Sequence, residues 1–145
     1  MECTAQVEIF KTAVIAAATA ATMKGADDSL VLDASADGEL WLLGQSREIR
    51  VKRRVDGAKV KGAGRLALSA ARLKKIVDAI SGDEVKITTK GNQVTVKSGG
   101  ATFRLTTVGE GEQWRVQEIV TPKSWNLQGD IVKKMFDLVR WAVSE

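Results

Sequence analysis

The closing stretch of this 145-residue chain echoes its opening, which points to a fold that begins with a strand-helix unit and then begins again. Sliding residues 125–143 back onto 3–21, an offset of 122, pairs Gln128 with Gln6, Ile131 with Ile9, Lys133 with Lys11 and Ala142 with Ala20, and sets Asp130 on Glu8. Both segments read as a short strand running into an amphipathic helix, so the spacing implies a domain of about 120 residues followed by the start of another. Four identities in 19 positions are thin support, because any two strand-helix units share a hydrophobic period. The elements in between have to decide.

Residues 2–7 form a short strand and 8–23 a helix, in which Lys11 is the only charge across 9–22. A surface helix carries a polar stripe, so this one is expected to be mostly buried or to face something that tolerates small residues. Residues 29–34 (SLVLDA) and 39–44 (ELWLLG) flank Ala36, Asp37 and Gly38 as a hairpin. The strand 48–55 (EIRVKRRV) alternates Ile49, Val51 and Val55 against Arg50, Lys52 and Arg54. Residues 56–64 (DGAKVKGAG) read as a loop, and a short strand at 65–68 delivers Ser69 as N-cap to a helix over 70–80. Strands at 84–89, 93–98 and 101–106 close a meander through Gly91-Asn92 and Gly99-Gly100. Both halves of the first 107 residues thus share the order strand, helix, three strands. The expected class is α+β, with two helices on one face of a mostly antiparallel sheet and an extra C-terminal strand and helix. Residues 1–115 form the domain, 116–123 a connector, and 124–145 the strand and helix of the echo.

Chemistry by side chains is poorly provided for. There is no histidine, which removes the commonest general base and metal ligand. The single cysteine, Cys3, excludes an internal disulfide and a zinc thiolate cluster and reads as a small buried strand residue. Asp27-Asp28 in a polar turn, and Glu110 with Glu112 in a Gly-rich loop, read as solvated carboxylates. The expectation is a non-enzyme with no cofactor and no metal. The run 12–23 is too short and too rich in Ala and Thr to cross a bilayer, and no signal peptide is evident, which reads as a cytoplasmic protein. A net charge of +4 tolerates a polyanion without announcing one.

This order of elements resembles the bacterial DNA polymerase III β subunit, the sliding clamp. The resemblance rests on ECTAQVEIFKTAV, on DSLVLDASADGELWLLG leading to SREIRVKRRV, on GRLALSAARLKKIVDAISGDEVKI, on QVTVKSGGATFRLTT, and on WNLQGDIVKKMFDLVRWAVS as the opening of a second clamp domain. It implies a DNA-clamp-like domain from a protein of three such domains, two chains closing head to tail around duplex DNA with helices lining the channel. Binding would be to the phosphate backbone without base readout. The implied activity is that of a replication and processivity factor after self-association. Other replication proteins are implied partners, although the client-binding pocket, built from later domains, is missing here. The loop at 23–29 departs from the family in being short and lacking proline. The alternative is a clamp-derived interaction or regulatory module that does not encircle DNA.

Under the resemblance the candidate phosphate contacts are Lys11 and Lys24 around the first helix, Arg72, Lys74 and Lys75 on the second, and Lys133, Lys134 and Arg140 on the last. Each also fits an ordinary solvated helix face. Arg47, Arg50, Lys52, Arg53, Arg54, Lys59 and Lys61 are the densest cluster, and alternation sets Arg50, Lys52 and Arg54 away from the helices. These charges read equally as a separate anion-binding surface or as protection of an edge strand. Trp41 reads as core. Trp141, Phe136 and Val143 are the candidate oligomer contacts, since the last helix has a wide apolar face to bury in its own domain or in a neighbouring copy.

Overall fold

The computed structural model describes residues 1–23, 28–47, 49–108 and 125–140. Contacts divide the chain into two units, Met1–Arg115 and Val116–Glu145. The first unit runs β1 (Glu2–Gln6), α1 (Val7–Ala21), β2 (Ser29–Ala34), β3 (Leu40–Gln45), β4 (Arg50–Arg54), β5 (Lys59–Lys61), β6 (Gly64–Ser69), α2 (Ala70–Ala79), β7 (Glu84–Lys90), β8 (Gln93–Ser98) and β9 (Ala101–Thr106). The α+β class is what the structure shows, with the strands divided between two antiparallel sheets. One has the order β5-β1-β7-β8-β9 and the other β4-β3-β2-β6.

Three strand details differ from the sequence reading, the first being that residues 125–128, expected to open the C-terminal unit as a strand, lie in no ladder and simply lead into the last helix. Residues 59–61, taken as loop, form β5, because three residues suffice to pair Val60 with Cys3 along the free edge of β1. Ile49, which alternation grouped with Val51 and Val55, is 43% exposed, since β4 begins only at Arg50 and leaves it outside the ladder.

One core joins both sheets and both helices, with Phe10, Leu32, Leu42, Leu73, Ile87 and Val96 all at 1% exposure or less. The Ala-rich composition of α1 is explained by what surrounds it. The helix lies over β3 and β4, packs beside α2, and touches β1 and β7 near its start. Alanines at 13, 17, 18, 20 and 21 are buried, so the helix backbone comes close to its neighbours on several sides. The closest approach is at Gly44 in β3, where any Cβ would overlap the backbone carbonyl of Ala17. No smaller side chain exists, so glycine is obligatory at this seat.

α2 is fastened at its N-terminus by two residues. Ser69 Oγ accepts from Arg72 N at 3.3 Å and donates to Asp28 Oδ2 at 2.8 Å, while Asp28 Oδ1 accepts from Ala71 N at 2.9 Å. The Asp28 backbone carbonyl also takes the Ala70 N–H at 3.0 Å. Asp28, expected to be a free solvated carboxylate, is therefore a helix cap, held in the left-handed region at φ 45°. At the other end the buried Ser98 hydroxyl, 2.8 Å from Ser81 O and 2.9 Å from Glu84 O, ties the α2–β7 link to β8.

The second unit contributes α3 (Gly129–Val139), with Gln128 as N-cap and Asp130 in the first turn. None of its side chains is buried; Ile131, Met135, Phe136, Leu138 and Val139 are all exposed.

Candidate nucleic-acid interface

The helix side of the first unit is built by α1 and α2 together. Burial of one side of α1 leaves Glu8, Thr12, Ile15 and Thr19 exposed as a stripe, with Lys11 half-buried at its flank. The Thr12 and Thr19 hydroxyls donate back to Glu8 O at 2.8 Å and Ile15 O at 2.9 Å, so half of the stripe presents small, internally satisfied side chains beside Glu8 and Ile15. On α2, Leu73, Ile76 and Val77 are buried, which turns Arg72, Lys74 and Lys75 outward. No ion pair joins these three among the described residues, so their charge is available to solvent or to an anion.

Arg53 is a residue of this side that the sequence reading did not separate from its neighbours. The register pairs Leu42 with Arg53 and Gly44 with Val51, which places Arg53 on the sheet face that carries α1. It lines an open hollow of about 290 Å³ with Glu8, Ile9, Thr12, Arg54 and Asp56. α2 packs on α1 and continues directly from β6. Arg53 and the α2 cations therefore both border α1. The signal was present in RVKRR, where a charge falls on a position that alternation reserves for the inner face.

Arg50, Lys52 and Arg54 pair with Gln45, Leu43 and Trp41 on the other face. Arg54 is held by Asp56 at 2.7 Å and Glu39 at 3.2 Å, and both carboxylates raise its pKa. Lys52 sits 4.5 Å from the centroid of the Trp41 ring, whose Nε1 donates to Glu39 at 3.0 Å. Trp41 is half-buried against a small satellite cluster of Val31, Leu43 and Ala67 rather than within the main core.

Lys133 and Lys134 are exposed on α3, as are Phe136 and the C-cap residue Arg140. Lys24, Trp141 and Val143 lie outside the described residues. Cys3 is buried on β1, and burial pushes its thiol pKa up, the opposite of what a reactive nucleophile needs. Among the described residues no group of three or more carboxylates and thiols is placed to hold a metal ion, and no helix is long and apolar enough to cross a membrane.

Comparison with solved structures finds bacterial DNA polymerase III beta subunits among the matches. Caulobacter crescentus pol III beta aligns with a TM-score of 0.86 at 14% identity, covering 99% of this chain and 40% of that one. A Pseudomonas aeruginosa sliding clamp, DNA polymerase III subunit beta, bound to griselimycin, aligns at 0.85 with 20% identity, covering 100% of this chain and 40% of that one. A DNA polymerase sliding clamp from Bacillus subtilis gives 0.83 at 19% identity, covering 94% and 38%. At such identities the likeness is one of fold, and this chain spans well under half of their length. Comparison with curated proteins returns no significant match. The family model for the DNA polymerase III beta subunit, N-terminal domain, matches residues 13–114, from within α1 to beyond β9. With more than half of its length so matched, the chain belongs to the DNA polymerase III beta subunit family, through its N-terminal domain.

Proposed function

We propose that this chain is a clamp-like replication and processivity factor that acts without catalysis, holding duplex DNA by its phosphate backbone after self-assembly. The observation that carries this reading is the family match over residues 13–114 on a fold that leaves α1 and the α2 cations together on one side. One copy of a domain this size cannot surround a duplex, so several copies have to close around it. In this reading Lys11, Arg53, Arg72, Lys74 and Lys75 meet phosphates, Lys24 adds to them, and α1 lets the duplex come near at Thr12 and Thr19, whose side chains are short. Lys133, Lys134 and Arg140 play the corresponding part in the second unit. Residues 1–115, 116–123 and 124–145 act as clamp domain, connector and start of a second domain.

The test is retention on closed circular against linear duplex across a salt series. A topological clamp persists on circles and slides from open ends, whereas a merely basic surface loses both alike as salt rises. Equal loss from both forms, or a monomer at high concentration by light scattering, overturns the reading. A second reading, a clamp-derived interaction module that does not encircle DNA, is favoured by one observation. The exposed stripe of α1 includes the carboxylate of Glu8 and no fully exposed cation. That module would associate with protein partners while showing no difference between circle and line.

A further inference from the structure

The outer face of the five-stranded sheet carries more exposed cations than the helix side. Cys3, Val85, Ile87, Val94, Val96 and Leu105 turn into the core, so their alternate neighbours turn outward. Those neighbours include Lys59, Lys61, Lys86, Lys90, Lys97 and Arg104, all exposed, against two carboxylates, Glu2 and Glu84. Register then gathers them. Thr4 lies opposite Lys59 on one side and Lys86 on the other, and Lys86 lies opposite Lys97, so three lysines share a single row across four strands. In the next row Thr95 lies opposite Arg104, with Thr88 between Thr95 and Glu2, and Lys61 beyond Glu2.

Like charges facing each other across a ladder destabilise a sheet. Here one of the six is relieved: Lys86 Nζ reaches Glu2 Oε1 at 2.9 Å. Its hydrogen bond and charge, with Lys61 nearby, hold the Glu2 carboxyl below the usual carboxylate range. Among the described residues no ion pair joins the other five cations. Between them stand threonine hydroxyls, and no large apolar side chain of these strands is exposed. The face thus lacks the aromatic or aliphatic anchor around which a protein interface forms. It offers an array of ammonium, guanidinium and hydroxyl donors, which suits phosphate oxygens and carries no means of reading bases.

We propose that the outer face of this sheet is a second nucleic-acid site, taking the sugar-phosphate backbone independently of sequence. It lies on a different layer from the α1 and α2 side and needs no ring, so it stands whether or not the chain encircles DNA. The full chain and the triple variant Lys90→Gln, Lys97→Gln, Arg104→Gln are titrated with a short linear duplex across a salt series. The expected result is at least a tenfold loss of affinity at about 50 mM salt and a slope of log K against log salt shallower by about 2–3. The loss should be equal for unrelated sequences, and the melting midpoint unchanged because all three side chains are exposed. Unchanged affinity and slope overturn the proposal, as does failure of the wild-type chain to bind duplex at low salt. Intact duplex binding with lost binding to phosphatidylserine vesicles also overturns it and assigns the face to lipid. Lys74→Gln with Lys75→Gln, scored on persistence on circular duplex, reads the helix side alone, so the two proposals fail separately.

Discussion

Gly44 is the position where a single methyl group does the most harm. Its missing Cβ is the space occupied by the Ala17 carbonyl, and backbone stands on both sides of the contact, so no rotamer change can relieve an added atom. Gly44→Ala is expected to lower unfolding stability by about 3 kcal/mol or more in urea titration, at the upper end of overpacking effects. Gly38→Ala, with nothing near its Cβ, meets only the penalty of its φ of 85° and should lose about 1 kcal/mol. Cys3 gives a pH prediction of definite sign. Burial raises its thiol pKa in the folded state, so its contribution is fully present below the ordinary thiol pKa and is lost as pH rises through the raised one. Above about pH 8.5 the midpoint of the wild-type chain should fall faster than that of Cys3→Ala. Below that pH an aromatic disulfide reagent should modify Cys3 only after denaturant is added.

At the level of elements, the α2 cap shows what local sequence conveys and what it does not. Ser69 before an apolar-periodic run is a helix start by its own chemistry, and it is the N-cap observed. Asp28 gives no such signal, because it reaches α2 from 41 residues away along the chain. Asp28→Ala removes two acceptors and places a Cβ-bearing residue without side-chain compensation at positive φ, so a loss of about 1–2 kcal/mol is expected by thermal melting. Asp28→Asn, which keeps an acceptor and tolerates that backbone, should retain most of the stability. The same division runs through the sheets. Alternation in 84–106 made β7, β8 and β9 legible almost to the residue, since each strand has one wet and one dry face. β5 was not legible, because a three-residue edge strand amid Gly and Lys has no period to display. The partition into two sheets was hidden for a related reason: pairing partners lie far apart in the chain, and composition does not report register. The cations of α2 were visible from the spacing of Leu73, Ile76 and Val77, whereas Arg53 needed its cross-strand partner to be placed.

For the molecule as a whole, α3 is the part that most needs company. Ile131, Met135, Phe136, Leu138 and Val139 leave a large apolar surface in water, and a surface of that kind is covered by a partner or drives aggregation. Phe136→Glu places a charge in the middle of it. Light scattering should show a lower apparent mass for this variant than for the wild type at matched concentration, and an unchanged mass would remove Phe136 from any association surface. The seat of α1 bears on a different property of the molecule, its clock. With Ala17 pressed on Gly44 and the helix packed over β3 and β4 and beside α2, it has no slack in which to twist or lift by degrees. Its amides from Phe10 to Ala18 should then exchange with heavy water only when the entire unit opens, while those of the sheet-end strands β4 and β9 exchange far sooner. Whatever meets the exposed stripe of α1 meets a surface that stays fixed for as long as the fold survives.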